Sequence, residues 1–425
     1  MIVHLKINNY KGIEQEAFID TKASNKIKRP SRKYSVISEK NKLLKTICLI
    51  GCNGSGKTSI LSAIDTLQTF ISFPFRKNIK ESNDFVNYIK SMSEEELKDY
   101  LIKLNTLNLG EQNINRKNEP TLIELELYVP KRKNNISGFY SYKIIYDCNY
   151  KKNGVLSESL SYRPAYEKRN IINLCNKKNI IESQIGTAIL YENNDNFNKN
   201  SIKYIEYYKS FTEELLNYTD CLFNGASTDI REILKNSKND FIKLCNIADD
   251  KIIDVSIDEN SKNRNLLFWN KNGNPLYFSQ LSEGTRKVII LGSVIIESIK
   301  NNSTLLIDEI EQSLHPTLVD FLIDLASSKS SNNYTQLLFT THSPLLAFSL
   351  ENDELYFINN HNGSYYFSNI SNAIKLKIIT KDQSRQKAWI DNLLIKNPDK
   401  NKIEQFIVNE NKDWKAFVFY LYSIK

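Results

Sequence analysis

The residues best suited to chemistry lie in one glycine-rich segment, residues 51–58, which reads Gly-Cys-Asn-Gly-Ser-Gly-Lys-Thr and matches G-x-x-x-x-G-K-[ST]. Glycines allow such a loop to fold around a phosphate group with its backbone N–H groups pointing inward. Lys57 would then reach the β- and γ-phosphate oxygens, and the hydroxyl of Thr58 would bind Mg²⁺. The sequence therefore predicts a site for a nucleoside triphosphate. The other residues expected to bind it here are Asn53, Gly54, Ser55, Gly56 and Ser59.

Two carboxylates follow an apolar run much later in the chain. Residues 304–309 read Thr-Leu-Leu-Ile-Asp-Glu, which is typical of a buried strand that ends in acids. Asp308 is suited to hold Mg²⁺ through water, and Glu309 to orient and deprotonate an attacking water. The alternative is a pair of solvated acids at a strand end. The apolar run reaches the acids directly and a phosphate loop lies upstream, which favours the catalytic interpretation.

A short motif before these acids predicts a second anion site. Residues 281–285 read Leu-Ser-Glu-Gly-Thr and open a helix with regularly spaced apolar residues. The hydroxyl of Ser282 and the first backbone amides of the helix would suit a γ-phosphate. The alternative, an ordinary serine that caps a helix, is equally compatible with this motif alone.

A histidine ends the next apolar strand. Residues 335–344 read Thr-Gln-Leu-Leu-Phe-Thr-Thr-His-Ser-Pro, and His342 stands where the strand would end. Ligands of open α/β sheets bind at the carboxyl ends of the strands. His342 would donate a hydrogen bond to the γ-phosphate there, whereas an isolated histidine would more often be structural.

The elements that must position these residues follow from hydrophobic periodicity. Residues 47–50 predict the buried strand before the phosphate loop, and residues 59–69 the helix after it. Residues 1–20 predict a hairpin whose turn carries Lys11. Further strands are predicted at 121–129, 139–146, 155–162, 252–257, 266–269 and 354–368, and helices at 165–250, 382–396 and 403–421.

Composition limits the class of protein. The 425 residues are 41% hydrophobic, which is typical of a soluble globular chain, and the net charge of +8 is compatible with nucleic acid or with a solvated basic surface. No apolar run approaches the roughly 20 residues of a membrane span. Six cysteines without a C-x-x-C pair and four histidines without an HExxH pattern argue for reduced thiols and against a zinc hydrolase. We expect a cytoplasmic protein that does not bind membranes.

The order of these motifs resembles that of the ABC-type ATPase heads of the SMC, RecF and OLD group. The opening residues 5–12 (Leu-Lys-Ile-Asn-Asn-Tyr-Lys-Gly) and residues 309–316 (Glu-Ile-Glu-Gln-Ser-Leu-His-Pro) resemble segments of that group as well. The resemblance covers about 1–70 and 275–360. It implies an α/β fold: an ABC-type P-loop ATPase head with a mixed sheet, an antiparallel β subdomain and an inserted helical subdomain.

The resemblance also implies roles. ATP and Mg²⁺ would be the cofactors, with Thr58 and Asp308 at the metal, Glu309 as the base and His342 as the switch histidine. Lys11 would contact the γ-phosphate. Ser282 and Gly284 would serve the nucleotide of the opposite subunit, so the chain is expected to form a head-to-tail dimer or a higher homo-oligomer. The glutamine usual after the first sheet is not clearly matched, with only Gln112 and Gln184 available.

The sequence patterns and the resemblance together predict four domains. They are an N-terminal ATPase lobe (1–165), a helical insert (166–250), a C-terminal ATPase lobe with the signature, acidic pair and histidine (251–370) and a C-terminal helical segment (371–425).

Three functions remain open at this stage. The first is an ATPase that regulates a separate effector, expected to be a nuclease, in bacterial anti-phage defence, since stand-alone ATPases of this build resemble the ATPase components of the Septu and PARIS systems. The second is a RecF-like DNA-repair clamp whose basic loops grip duplex DNA. The third is an ATP-locked scaffold with negligible turnover.

Overall fold

The fold is taken from a computed structural model of the chain. The structure describes residues 1–13, 16–23, 34–38, 41–64, 67, 119–129, 138–146, 155–165, 172–178, 229–258, 266–302, 304–327, 334–361, 364–375, 377 and 380.

Its elements follow one another in this order: β1 (Ile2–Asn8), β2 (Ala17–Asp20), β3 (Tyr34–Ser38), β4 (Asn41–Leu44), β5 (Thr46–Gly51), α1 (57–64), β6 (Thr121–Val129), β7 (Gly138–Tyr146), β8 (Val155–Pro164), β9 (Ile172–Lys178), α2 (Asp229–Ala248), β10 (Ile252–Ile257), β11 (Leu266–Asn270), β12 (Pro275–Tyr277), a 3₁₀ turn (Phe278–Gln280), α3 (Glu283–Asn301), β13 (Thr304–Ile307), α4 (Pro316–Ala326), β14 (Gln336–Thr341), α5 (Pro344–Ser349), β15 (Leu355–His361), β16 (Ser364–Asn369) and α6 (Ile370–Lys375).

A mostly parallel sheet carries the predicted site. Its strand order is β13-β14-β5-β15-β16, and only the pair β15–β16 is antiparallel. Strands β5, β13 and β14 are buried at every position, as expected for strands covered on both faces. Because the carboxyl ends of parallel strands meet at one edge, the phosphate loop after β5, the acids after β13 and His342 after β14 lie side by side.

An antiparallel sheet forms a second layer against it. Its order is β2-β1-β6-β7-β8-β9. Along β6 the apolar residues point inward and the alternate residues face outward, the alternation expected of a sheet packed on one face. The inward residues share one core with side chains of the parallel sheet: Ile2, Leu5 and Ile7 of β1 and Ile123, Leu125 and Leu127 of β6 pack with Ile47, Leu49, Leu338 and Ile358. One hydrophobic core therefore joins both layers.

A smaller sheet supports the helix that follows the Leu-Ser-Glu-Gly-Thr motif. Strands β10, β11 and β12 are antiparallel, and their buried residues pack with α2 and α3. Gly273 takes φ of +82° in the turn between β11 and β12, a backbone conformation that favours glycine. This packing orients α3 through the side chains Phe241, Phe268 and Ile289.

Most sequence-predicted elements are confirmed, but strands β3 and β4 were not predicted and one predicted region is partly wrong. The initial hairpin, the three strands between 121 and 164, the strand pair at 252–270, the helix after Ser282 and the closing strands at 355–369 are present. The helical interpretation of 165–250 is wrong for residues 172–178, which form β9 and pair with β8. Strand β9 is held by its hydrogen bonds to β8, and its sequence shows no clear alternation of apolar and polar residues that would have predicted it. Helix α2 confirms a helix at the end of that region.

The helices predicted at 382–396 and 403–421 lie outside the described residues, as do Gln112 and Gln184. Among the helices that the structure describes, none is long and apolar enough to cross a membrane.

Candidate functional site

The glycine-rich loop forms the centre of the site. It begins at the end of β5 and leads into α1, which starts at Lys57. Gly54 and Gly56 take φ of +70° and +94°, conformations that side chains disfavour. A Cβ atom at Gly51 would lie 2.7 Å from the carbonyl oxygen of Ile358, so the loop closes tightly on β15. The loop and the helix start therefore have the geometry expected of a phosphate site.

Lys57 is buried inside this loop. Its Nζ donates to the carbonyl oxygens of Gly51 (2.8 Å) and Cys52 (3.0 Å) and lies 3.4 Å from Nδ1 of His342. Burial lowers the pKa of Lys57, and the nearby Asp308 carboxylate opposes that shift. An ammonium that is partly desolvated and held by weak neutral acceptors is well placed to bind an anion.

A hydroxyl and a carboxylate meet beside the lysine. Thr58 Oγ1 donates to Asp308 Oδ2 at 2.9 Å, although their positions are 250 residues apart. Both are hard oxygen ligands of the kind that Mg²⁺ prefers. The hydroxyl of Ser55 in the same loop is buried without a hydrogen-bond partner among the described residues. The donor set and this unsatisfied hydroxyl fit a magnesium–phosphate group.

Glu309 and His342 face each other across the ends of β13 and β14. Oε1 of Glu309 lies 3.4 Å from Nε2 of His342. An ammonium group can only donate, so the His342 tautomer that fits this contact carries its proton on Nε2. Glu309 takes φ of +48°, in the left-handed region, and its N–H donates to Oγ1 of Thr340 at 2.7 Å. The histidine therefore lies between the lysine and the candidate base.

Two residues that the sequence reasoning did not assign hold this arrangement together. The hydroxyl of Thr340 donates to Asp308 while it accepts from the N–H of Glu309. Oε1 of Glu311 accepts the backbone N–H of His342 at 2.5 Å. The only sequence signal for these residues is their adjacency to the acidic pair and to the histidine.

Ser282 lies at the start of α3, where it caps the helix. Its Oγ accepts the N–H of Thr285 at 3.1 Å, and it makes no hydrogen bond to the phosphate loop in the described part of the chain. The side chain is exposed. The structure thus brings the loop, the acids and His342 together within one chain, whereas Ser282 remains outside that cluster.

The segment after Ser282 is bound to the acidic loop of the same chain. Lys287 Nζ donates to the carbonyl oxygens of Glu309 (3.3 Å) and Gln312 (2.8 Å), and burial lowers the pKa of Lys287. Ser313 Oγ donates to Glu283 Oε1 at 2.7 Å. A Cβ atom at Gly284 would lie 2.8 Å from the carbonyl oxygen of Ser313. The start of α3 therefore packs directly on residues 309–313.

Lys11 contacts α1 one helical turn after Thr58. It takes φ of +51° in the hairpin turn, and its Nζ donates to Oγ of Ser62 at 2.6 Å. Its ammonium group also lies 5.4 Å from the ring centroid of Tyr10. The structure thus places Lys11 against the helix that follows the phosphate loop, and its contact with a γ-phosphate stays a prediction.

Part of this chain is similar to a known family of domains. Residues 176–348 match the family model described as "AAA domain, putative AbiEii toxin, Type IV TA system". The match includes the acidic pair and His342, covers less than half of the chain and does not reach the phosphate loop. It supports an AAA-type ATPase domain in this segment. No curated protein sequence matches the chain.

Solved SMC head domains align over most of the chain at low similarity. An SMC head bound to the C-terminal winged-helix domain of ScpA has 11% identity and a TM-score of 0.42. The alignment covers 88% of this chain and 99% of the SMC head chain. The head from Thermotoga maritima has 11% identity and a TM-score of 0.38, covering 87% and 98%. The head from Pyrococcus furiosus, bound to the C-terminal domain of ScpA, has 10% identity and a TM-score of 0.40, covering 88% and 98%. Similarity at this level carries no argument about function.

Proposed function

We propose that this protein binds and hydrolyses ATP in the presence of Mg²⁺. One observation carries the proposal: three segments far apart in sequence, 51–58, 308–309 and 340–342, meet at one sheet edge and contact one another through side chains that suit a triphosphate, a metal and an attacking water. The contacts that join them are Lys57 with His342, Thr58 with Asp308, Asp308 with Thr340, and His342 with Glu309.

Each side chain has a role in this proposal. Lys57 exchanges its loop carbonyls for phosphate oxygens, because charge-assisted hydrogen bonds to phosphate are stronger than those to neutral carbonyls. Thr58 and Asp308 hold Mg²⁺, which neutralises phosphate charge when bound. Glu309 orients the attacking water and accepts its proton, and the Nε2 proton of His342 is available to a γ-phosphate oxygen.

Steady-state ATP turnover tests this proposal. We expect measurable turnover in the wild type, loss of nucleotide binding or turnover in Lys57→Ala, and retained ATP binding with at least about a hundredfold slower turnover in Glu309→Gln. Lys243→Ala is a matched control, because Lys243 is exposed and pairs only with Asp240 in the described structure. A wild type that binds no ATP would contradict the proposal.

The exposed position of Ser282 supports a site that two subunits complete together. Serine hydroxyls and backbone amides at helix starts bind anions, and the motif order resembles heads in which this segment serves the nucleotide of the opposite subunit. We propose that two copies of the chain enclose ATP head to tail, with Ser282 and Gly284 of one copy facing the phosphate loop of the other.

Oligomeric state in ATP tests the composite site. Glu309→Gln retains ATP, so this variant should dimerise on ATP addition, as measured by light scattering. Adding Ser282→Arg should leave it monomeric, because a bulky side chain would enter the phosphate position. Asn272→Arg adds the same charge in an exposed turn and should not prevent dimerisation. ATP-dependent dimers of the Ser282→Arg double variant would exclude this geometry.

The biological role that we propose is regulation of a separate effector, expected to be a nuclease, in anti-phage defence. It is supported by the motif order and by the family model, whose description names a toxin and a type IV TA system. Co-purification with the products of neighbouring genes tests it, and a co-eluting nuclease is the expected result.

Salt-sensitive binding of duplex DNA without an effector would instead favour a RecF-like clamp. Wild-type ATP turnover as slow as that of Glu309→Gln would favour a scaffold.

A further inference from the structure

Glu311 connects the acidic loop to the histidine strand. Its Oε1 accepts the backbone N–H of His342 at 2.5 Å, and the N–H of Ile310 donates to the carbonyl oxygen of Thr340 at 3.2 Å. With the bond from Glu309 N–H to Thr340 Oγ1, three successive residues of one loop contact the end of β14. Of these three hydrogen bonds, only the one to Glu311 involves His342, whose ring contacts both Lys57 and Glu309.

The hydrogen bond to His342 does not satisfy the whole side chain of Glu311. The second oxygen of Glu311, Oε2, is buried and accepts no hydrogen bond from any described residue. Burying an unsatisfied carboxylate oxygen costs free energy, and a neutral acceptor would hold the amide at lower cost. The charge of Glu311 acts on two lysines: it opposes the pKa decrease that burial causes in Lys57 and in Lys287.

The position of the His342 ring depends on its backbone. Its two nitrogens each lie 3.4 Å from a partner, Nδ1 from Lys57 Nζ and Nε2 from Glu309 Oε1. Contacts of this length are sensitive to small shifts of the ring, and the described residue that fixes the His342 amide is Glu311. A displacement of about 1 Å in an active site can cost about a hundredfold in rate.

We propose that Glu311 is a positioning residue for ATP hydrolysis, acting through His342. The inference rests on the proposed function and extends it: Glu311 holds the His342 peptide so that the Nε2 proton points to the space beside Glu309. Because Glu311 acts through the His342 amide in this proposal, its loss should reduce kcat far more than it raises KM for ATP.

Two substitutions separate the hydrogen bond from the rest of the side chain. Glu311→Ala removes the acceptor, and we expect kcat to fall about 10- to 100-fold with KM for ATP changed less than about threefold. Glu311→Gln keeps an acceptor oxygen and should retain kcat within about fivefold. Asp240→Asn is a control that removes one exposed negative charge on α2. Equal losses in Glu311→Ala and Glu311→Gln would overturn the proposal.

A double-mutant cycle tests whether Glu311 acts through the histidine. In a His342→Ala background, Glu311→Ala should lower kcat by less than about threefold further, because the ring that it positions is gone. If the fold-losses in kcat of the two single variants multiply in the double variant, the proposal is overturned. Thermal unfolding and binding of a fluorescent ATP analogue identify which variants fold. Absence of wild-type turnover would contradict the proposed function, whereas an active wild type with an equally active Glu311→Ala would contradict only this inference.

Discussion

Thr340 shows, at the scale of single residues, how one hydroxyl can align two carboxylates with different roles. It donates to the Asp308 side chain and accepts from the Glu309 backbone, so both of its hydrogen-bonding directions are used. The residue lies at the buried end of β14, where parallel pairing fixes its position relative to β13. The candidate metal ligand and the candidate base are therefore positioned by the same neighbouring strand.

Replacing Thr340 by valine should preserve shape and remove this alignment. We expect Thr340→Val to lower ATP turnover by about 10- to 100-fold while the protein stays folded, since the Asp308 carboxylate and the Glu309 N–H both lose a partner. Thr304→Val is the matched control, because the hydroxyl of Thr304 is buried without a partner among the described residues. The idea fails if steady-state assays show equal turnover in the two variants.

His4 provides a pH-dependent contribution to stability on the outer face of the antiparallel sheet. Hydrogen bonds to Glu124 and Glu126 raise its pKa from 6.5 to about 9. A raised pKa in the folded state means that the stabilisation is complete below pH 6.5 and is lost as the pH rises through 9. Because the side chain is partly exposed, we expect a contribution of about 1–2 kcal/mol.

Chemical denaturation across pH measures this contribution. The free energy of unfolding of the wild type should decrease between pH 6.5 and 9 relative to His4→Gln, which does not titrate there. The two proteins should then converge in their pH dependence above that range. Parallel pH profiles of the two proteins throughout would contradict the assignment.

At the scale of elements, the contact between α3 and residues 309–313 connects the segment after Ser282 to the candidate base of the same chain. Lys287 binds two carbonyl groups of that loop, and Gly284 approaches its backbone more closely than any side chain would allow. A change at the start of α3 should therefore move Glu309, whose carbonyl oxygen accepts a hydrogen bond from Lys287.

Gly284→Ala should separate the helix from the loop. Alanine favours helices by about 1 kcal/mol, but its Cβ would meet a carbonyl oxygen that cannot move independently of the backbone. We expect at least about a tenfold loss of ATP turnover with nucleotide binding retained. Gly292→Ala in the same helix is the control, since its Cβ would meet the end of the Leu244 side chain. Comparable kcat losses in both variants would argue against the contact with residues 309–313.

At the scale of the whole molecule, a buried glutamine helps to join the two layers. Gln336, at the start of β14, accepts the N–H of Ile2 (2.7 Å) and donates to the carbonyl oxygens of Ile2 (3.1 Å) and Leu44 (2.9 Å). Its side chain is fully buried. The first strand of the antiparallel sheet is thus fixed to the sheet that carries the site, in addition to their shared core.

Gln336→Leu should destabilise the protein by about 2–4 kcal/mol. Leucine fills a similar volume but leaves buried backbone groups without partners, each costing about 1–3 kcal/mol. Gln312→Leu, at an exposed position, should change stability by less than about 0.5 kcal/mol. Denaturant titration measures both, and equal midpoints and slopes for the two variants would show that the Gln336 bonds contribute little.

Local signals in the sequence were sufficient for much of the fold. Continuous apolar runs predicted β5, β13 and β14, alternation predicted β6 and β7, and the serine before a periodic apolar run predicted the start of α3. Strand β9 was missed because its residues lack a clear alternation and its pairing partner lies in β8. Elements with a strong hydrophobic periodicity were therefore predictable. Strand β9, which is held mainly by pairing with β8, was not.

By itself the sequence determined which residues could bind phosphate and metal, because glycines, a lysine, carboxylates and a histidine carry that chemistry wherever they are placed. Only the tertiary structure decided how they meet: that Lys57 contacts His342, that Thr340 aligns Asp308 with Glu309, and that Glu311 holds the histidine backbone. These contacts depend on the register of parallel strands and on loops more than 30 residues apart, and no local pattern encodes such distances.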